Sequence, residues 1–146
     1  MIAAVDNARV FIRRPRPTDQ GFIASTWADS ITNGGRERKG PINVTIDRLL
    51  DDPAVRILVA SEPADTNVIL GWLVYTPLPA RLIIHYAYVR GRMRRRGIMT
   101  ALINKATNGQ PKARPIALTM RGPDTEVLAA RYRDTIMMSM RDFLGD

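Results

Sequence analysis

The sequence predicts an α/β (α+β) fold of five strands and four helices in one domain, residues 1–146. Three observations predict it. Short runs of β-branched and aromatic residues are punctuated by proline and glycine, and longer runs carry apolar residues at helical spacing. One strand also passes through a basic, glycine-bearing turn directly into a helix. A chain of 146 residues buries roughly two thirds of its unfolded surface. Its 45% hydrophobic and 25% charged residues exclude a disordered, fibrous or coiled-coil chain.

Each element follows from local pattern. Arg9-Val-Phe-Ile-Arg13 is a strand with a rigid exit at Pro15 and Pro17. Thr18 reads as the N-cap of a first helix in which Phe22, Ile23, Trp27 and Ile31 share a face and which Asn33-Gly34-Gly35 stops. The charged segment Arg36 to Pro41 is a loop. Asn43 or Thr45 caps a second helix carrying Ile46, Leu49 and Leu50, ended by Asp51-Asp52-Pro53. Residues 55–60 and 68–75 form an antiparallel hairpin across a polar turn at 61–67. Leu82 to Val89 is the next strand, after the Pro77-Leu-Pro79 break. Ile98, Ala101, Leu102 and Ala106 then line one helical stripe. A polar loop, residues 107–114, precedes a strand at 116–120. Asp124 caps a last helix whose Leu128, Tyr132, Ile136 and Met140 recur every four residues. No internal repeat, low-complexity tract or linker is visible.

Composition limits the function classes. Without cysteine there are no disulfides or thiolate metal sites, and no metal site is expected. The longest nearly uncharged stretch, residues 68–80, holds two prolines and is shorter than the ~20 residues a spanning helix needs, so no membrane association is expected. The N-terminus reaches Asp6 at once and lacks the pattern of a signal peptide. A cytoplasmic location is the expectation. The net charge of +8 comes from 22 basic residues, of which only Lys39, Lys105 and Lys112 are lysine. Arginine's planar fork suits phosphate and carboxylate, so an anionic partner fits. Plain solubility, or a bias in arginine usage, explains the charge equally well.

The informative stretch runs from His85 through Arg90-Gly-Arg-Met-Arg-Arg-Arg-Gly97 to Leu102. A turn that delivers backbone N–H groups at a helix start is a pocket for phosphate, because the first amides lack internal partners and the dipole is positive there. Gly97 permits close approach or positive φ, and five of the seven residues from Arg90 to Arg96 are arginine. A solvated basic turn is the alternative. Neither Gly-x-x-x-x-Gly-Lys-Ser/Thr nor Gly-x-Gly-x-x-Gly occurs, so the two commonest phosphate fingerprints do not account for the turn.

Strand, then Arg/Gln-x-x-Gly-x-Gly/Ala, then an apolar helix resembles the acetyl-CoA signature of the GNAT superfamily of N-acetyltransferases. Arg94-Arg-Arg-Gly97-Ile-Met99 follows it except at the last position. Tyr86-Ala-Tyr-Val89 resembles that family's splayed fourth strand, whose backbone pairs with the pantetheine arm, and Gly71-Trp-Leu-Val-Tyr75 resembles its third strand. The element order matches from about Arg9 to Tyr132. The resemblance implies a mixed, mostly antiparallel central sheet of about five to six strands flanked by about four helices. It also implies acetyl-CoA as co-substrate, with the stretch from Arg92 to Thr100 cradling its pyrophosphate. The cofactor-binding residues it implies are Tyr88, Val89, Arg94, Arg95, Arg96, Gly97, Ile98, Met99 and Thr100. Met99 stands where the family has glycine or alanine. The late Asn-x-x-Ala-x-x-x-Tyr motif is partial: Thr125 and Leu128 replace Asn and Ala, Tyr132 fits, and no Gly-Phe follows.

Transfer to an amine needs a deprotonated nucleophile and a proton for the departing thiolate. The resemblance assigns the proton to Tyr132, which as readily reads as a core tyrosine. It points to His85 as the base on the fourth strand, where a buried structural histidine is the competing reading. Glu37, Glu62 and Asp29 are weaker bases, since nothing in their spacing directs them to a thioester. Trp27, the Gly34–Gly40 loop and residues 132–143 would shape the acceptor site. They specify no more than a small-molecule or protein amine, with a homodimer left open. Two other classes stay in play. One is a GNAT-like binding protein that keeps the fold without the chemistry, motivated by Met99 and the partial last motif. The other is a nucleic-acid partner for the arginine turn, for which no helix-turn-helix, zinc finger or aromatic RNA platform is present.

Overall fold

A computed structural model of the chain describes residues 2–5, 8–31, 40–94, 96–112, 114–120, 122–132 and 135–138. Seven strands, β1 (Ile2–Val5), β2 (Ala8–Arg13), β3 (Arg56–Ser61), β4 (Ile69–Pro77), β5 (Leu82–Val89), β6 (Ile116–Leu118) and β7 (Ile136–Met137), lie side by side in sequential order. The pairs from β1 to β5 are antiparallel, and β5–β6 and β6–β7 are parallel. Among the described residues four helices flank the sheet: α1 (Gln20–Ile31), α2 (Gly40–Leu50), α3 (Ile98–Ala106) and α4 (Pro123–Arg131). This is the mixed, mostly antiparallel sheet flanked by four helices that the resemblance implies. The short edge strands β1 and β7, which no patterning reveals, extend it.

The central strands β4 and β5 are buried on both faces, which is why they read as continuous apolar runs rather than alternating ones. On one face α3 and Leu128 of α4 cover Val10, Ile12, Leu58, Leu70, Leu73, Leu82, Ile84, Ala87 and Val89. On the other, α1 and α2 bring Ile23, Trp27, Ile46 and Leu49 onto Val59, Trp72, Val74 and Tyr86. Each fully buried aliphatic side chain contributes about 1.5–3 kcal/mol to holding these layers together.

A β-bulge decides which side chains of β5 face which layer. Tyr75 pairs with Ile84 and Val74 with Tyr86, so His85 is the extra residue. Strand side chains alternate with period two, so one inserted residue inverts the phase. Before the bulge Leu82 and Ile84 face α3. After it Ala87 and Val89 do, while Tyr86 and Tyr88 turn to the α1/α2 face.

Several element boundaries differ from the sequence reading. A 3-10 turn at Pro17–Asp19 precedes α1, and the carboxylate of Asp19, not Thr18, accepts the Arg16 N–H at 2.6 Å. Asp19 also takes Arg13 in an ion pair of 2.6 Å, which holds its carboxyl below the usual range. Helix α2 begins at Gly40 rather than at Asn43 or Thr45, with Pro41 in its first turn, where a missing N–H costs nothing. The last helix stops at Arg131. Tyr132 is extended, and Ile136 leaves the helical stripe to join an edge strand that gives β6 a partner. The expected stop of α1 at residues 33–35 and the loop cations Arg36, Arg38 and Lys39 lie outside the described residues.

Candidate functional site

The parallel pairing of β5 with β6 covers only Leu82–Ile84 against Ile116–Leu118. Beyond it β5 continues to Val89 paired with β4 only, and the basic turn follows. There Gly97 sits in the left-handed region, φ 82°, and starts α3. Only glycine adopts that conformation without strain. The first bond inside α3 runs from the Ala101 N–H to the Gly97 carbonyl at 3.0 Å, so the helix itself does not consume the amides of Ile98, Met99 and Thr100. A second glycine brings this helix start onto the sheet. A Cβ at Gly71 would lie 2.7 Å from the Tyr88 carbonyl oxygen and 3.3 Å from the Ile98 side chain.

The result is a cavity of about 310 Å³ lined by Val89, Met93, Arg94, Gly97, Ile98, Met99, Thr100, Pro123, Asp124, Val127 and Arg131. Backbone donors at a helix start, the dipole of α3 and two arginines make it a site for an anionic group. Among the described residues its one acid is Asp124. The sequence reading has this residue capping α4, but the N-cap is Gly122, whose N–H is accepted by the Thr125 hydroxyl at 2.7 Å. The Asp124 carboxylate instead reaches across to β5, where it accepts the Val89 N–H at 3.0 Å and pairs with Arg94 at 3.2 Å.

Six of the nine cofactor residues named from the sequence therefore meet in one cavity: Val89, Arg94, Gly97, Ile98, Met99 and Thr100. Arg96 is exposed and does not line it, and Arg95 lies outside the described residues. The Tyr88 side chain points to the opposite face, stacked on Trp72 with ring centroids 5.8 Å apart. Phe22, Trp27, Trp72, Tyr86 and Tyr88 form a continuous aromatic layer there.

The two catalytic candidates are held apart. Tyr132, half-buried at the end of α4, lines a separate recess of about 240 Å³ with Pro111, Lys112, Arg114, Pro115, Ile116 and Arg131, the last of which adjoins both cavities. His85 is fully buried at the bulge. Its Nε2 lies 2.9 Å from the Thr76 hydroxyl and its Nδ1 3.1 Å from that of Thr119. Burial lowers its pKa to about 4, so the imidazole is neutral at physiological pH. Pro123, Asp124, Val127 and Arg131 also line the cavity, although the sequence reading gives none of them a role there. A helix start that docks beside a strand end leaves no local pattern.

The sequence profile described as the Acetyltransferase (GNAT) family matches residues 23–109, more than half of the chain. The chain belongs to the GNAT acetyltransferase family. Acetyl-CoA is its co-substrate. No curated protein is similar enough to match. Solved structures share this GNAT fold. A ribosomal-protein-alanine N-acetyltransferase from Brucella melitensis biovar Abortus 2308 matches at 20% identity and TM-score 0.55, over 84% of this chain and 89% of its own. A GNAT family acetyltransferase from Brucella melitensis, in complex with acetyl-CoA, matches at 19% identity and TM-score 0.56, over 82% and 80%. The enzyme AAC(6')-Iy, bound to the bisubstrate analogue CoA-S-monomethyl-acetylneamine, matches at 13% identity and TM-score 0.53, over 85% and 88%. Among the described residues of this GNAT chain, no helix is long and apolar enough to cross a membrane.

Proposed function

We propose that the protein is an acetyl-CoA-dependent N-acetyltransferase acting on a primary amine of a small molecule or a protein. The observation that carries this reading is the convergence of Val89, Arg94 and the Gly97–Thr100 helix start on one cavity, where β5 and β6 part. In this reading the amides of residues 98–100 and Arg94 hold the pyrophosphate, and the free edge of β5 orients the arm leading to the thioester.

The chemistry left to the protein is modest. A neutral amine attacks the thioester carbonyl directly, the nitrogen gives up its extra proton to solvent, and the C–S bond breaks as the thiolate takes a proton. Tyr132 is our choice of donor. It ends the helix whose first turn lines the phosphate cavity, eight residues beyond Asp124, or about 12 Å at 1.5 Å per residue. His85 does not enter as the base. Both its nitrogens are engaged by threonines and no face reaches solvent, so in this reading the amine arrives already deprotonated. A second reading, a GNAT-like binder without turnover, is favoured by Met99, which lines the cavity at the position where the family has a small residue.

Isothermal titration with acetyl-CoA tests the site, with Gly97→Glu as the control that adds bulk and a negative charge at the helix start. The expected outcome is micromolar binding that the variant loses. No binding by the wild type overturns the proposal. Binding without turnover across a broad panel of amines favours the second reading.

A further inference from the structure

The acid of the phosphate cavity is out of place on simple electrostatic grounds. Asp124 is the only carboxylate lining it among the described residues, and it would repel a pyrophosphate. It is held there firmly. Its side chain is 9% exposed, Oδ2 accepts the Val89 N–H at 3.0 Å, Oδ1 lies 3.2 Å from Arg94 Nε, and Arg94 Nη2 is 3.5 Å from Oδ2. The first turn of α4 adds a positive dipole end beside it. Arg94, by contrast, is 44% exposed, so of the pair it is the guanidinium that can swing. The Val89 N–H is a free-edge donor that β6 would have taken had it continued past Leu118. Both groups that Asp124 occupies are thus groups that an incoming anionic, amide-bearing ligand would use.

We propose that Asp124 is an internal anion of this cavity, holding Arg94 and the Val89 amide until acetyl-CoA takes them over, and thereby setting the affinity for the co-substrate. The inference rests on the N-acetyltransferase reading. It gives Asp124 a positioning role, acting through Arg94. The ligand must displace the carboxylate from Arg94 and from the Val89 amide before it can use them, so removing the charge of Asp124 relieves this competition and strengthens binding.

The test is titration of acetyl-CoA into Asp124→Asn, which keeps the shape and the acceptor for Val89 but not the charge. The dissociation constant is expected to fall by about fivefold or more. In an Arg94→Gln background the gain should shrink to less than half, a coupling that a merely structural role would not produce. Unchanged or weaker binding by Asp124→Asn, or an undiminished gain in the double variant, overturns the proposal. If Asp124→Asn does not fold, the wild type still decides. The NMR signal of the Arg94 Nε–H should shift on saturation with acetyl-CoA, and an unmoved signal overturns the inference. Wild-type binding that Gly97→Glu abolishes and Asp124→Asn leaves alone defeats this inference only. Absence of binding by every form defeats the acetyltransferase reading and this inference with it.

Discussion

At His85 a single residue does structural work that its chemistry does not advertise. It is the bulged residue of β5, and its ring is enclosed between Thr76 and Thr119 with a pKa lowered to about 4 by burial. An unfolded histidine titrates near 6.5, so between the two values the unfolded chain binds the extra proton and folding loses free energy as pH falls. Stability should therefore be full above about pH 6.5, decline by up to about 3 kcal/mol towards pH 4, and level off with respect to this group below that. Denaturant unfolding at a series of pH values should show this slope in the wild type and not in His85→Asn; an equal slope in both would refute the assignment. The residue type and its strand were legible in the sequence. Its seclusion was not, because Thr76 and Thr119 reach it from two other segments.

Among the elements, α1, β5 and α4 are tied together at one phenol. The Tyr86 hydroxyl lies 2.7 Å from Ser30 Oγ of α1, and Gly122, just before α4, passes so close that a Cβ there would sit 1.9 Å from the same oxygen. Gly122→Ala should cost about 1–3 kcal/mol by overpacking and displace the start of α4 with Asp124. Tyr86→Phe should cost about 1 kcal/mol for the lost hydrogen bond. It should not rescue Gly122→Ala, because the ring carbons Cζ and Cε1 remain 2.5 and 2.6 Å from the added methyl. Thermal unfolding of the three variants checks this, and full rescue would show that the hydroxyl alone sets the conflict. The β3–β4 hairpin, the β5 strand and α3 were readable from periodicity and punctuation, since their apolar runs and glycines are local. The end of α4 was not. Leu128, Tyr132, Ile136 and Met140 keep helical spacing, yet pairing of residues 136–137 with the open edge of β6 prevails over that pattern.

For the whole molecule the dominant bulk property is charge, +8 with arginine in excess. If the Gly97 cavity takes an anion, its affinity is helped by this field and weakened by salt. Acetyl-CoA binding should weaken severalfold between low and high ionic strength, as followed by titration. Salt-independent binding would place recognition in the short-range backbone donors alone.

The sequence by itself determined the layers and the phosphate turn. Apolar periodicity and glycine placement act within a few residues, and Arg94 to Thr100 carry a pattern complete within seven. Only the tertiary structure decided what faces that turn. The phase shift at His85 sends Tyr88 away from the cavity and Val89 towards it, the short β6 leaves the edge of β5 open, and the docking of α4 brings Asp124 to Val89 and Arg94. These are contacts between residues up to 35 apart in the chain. Their energies depend on how separate elements pack, which no local window of sequence contains.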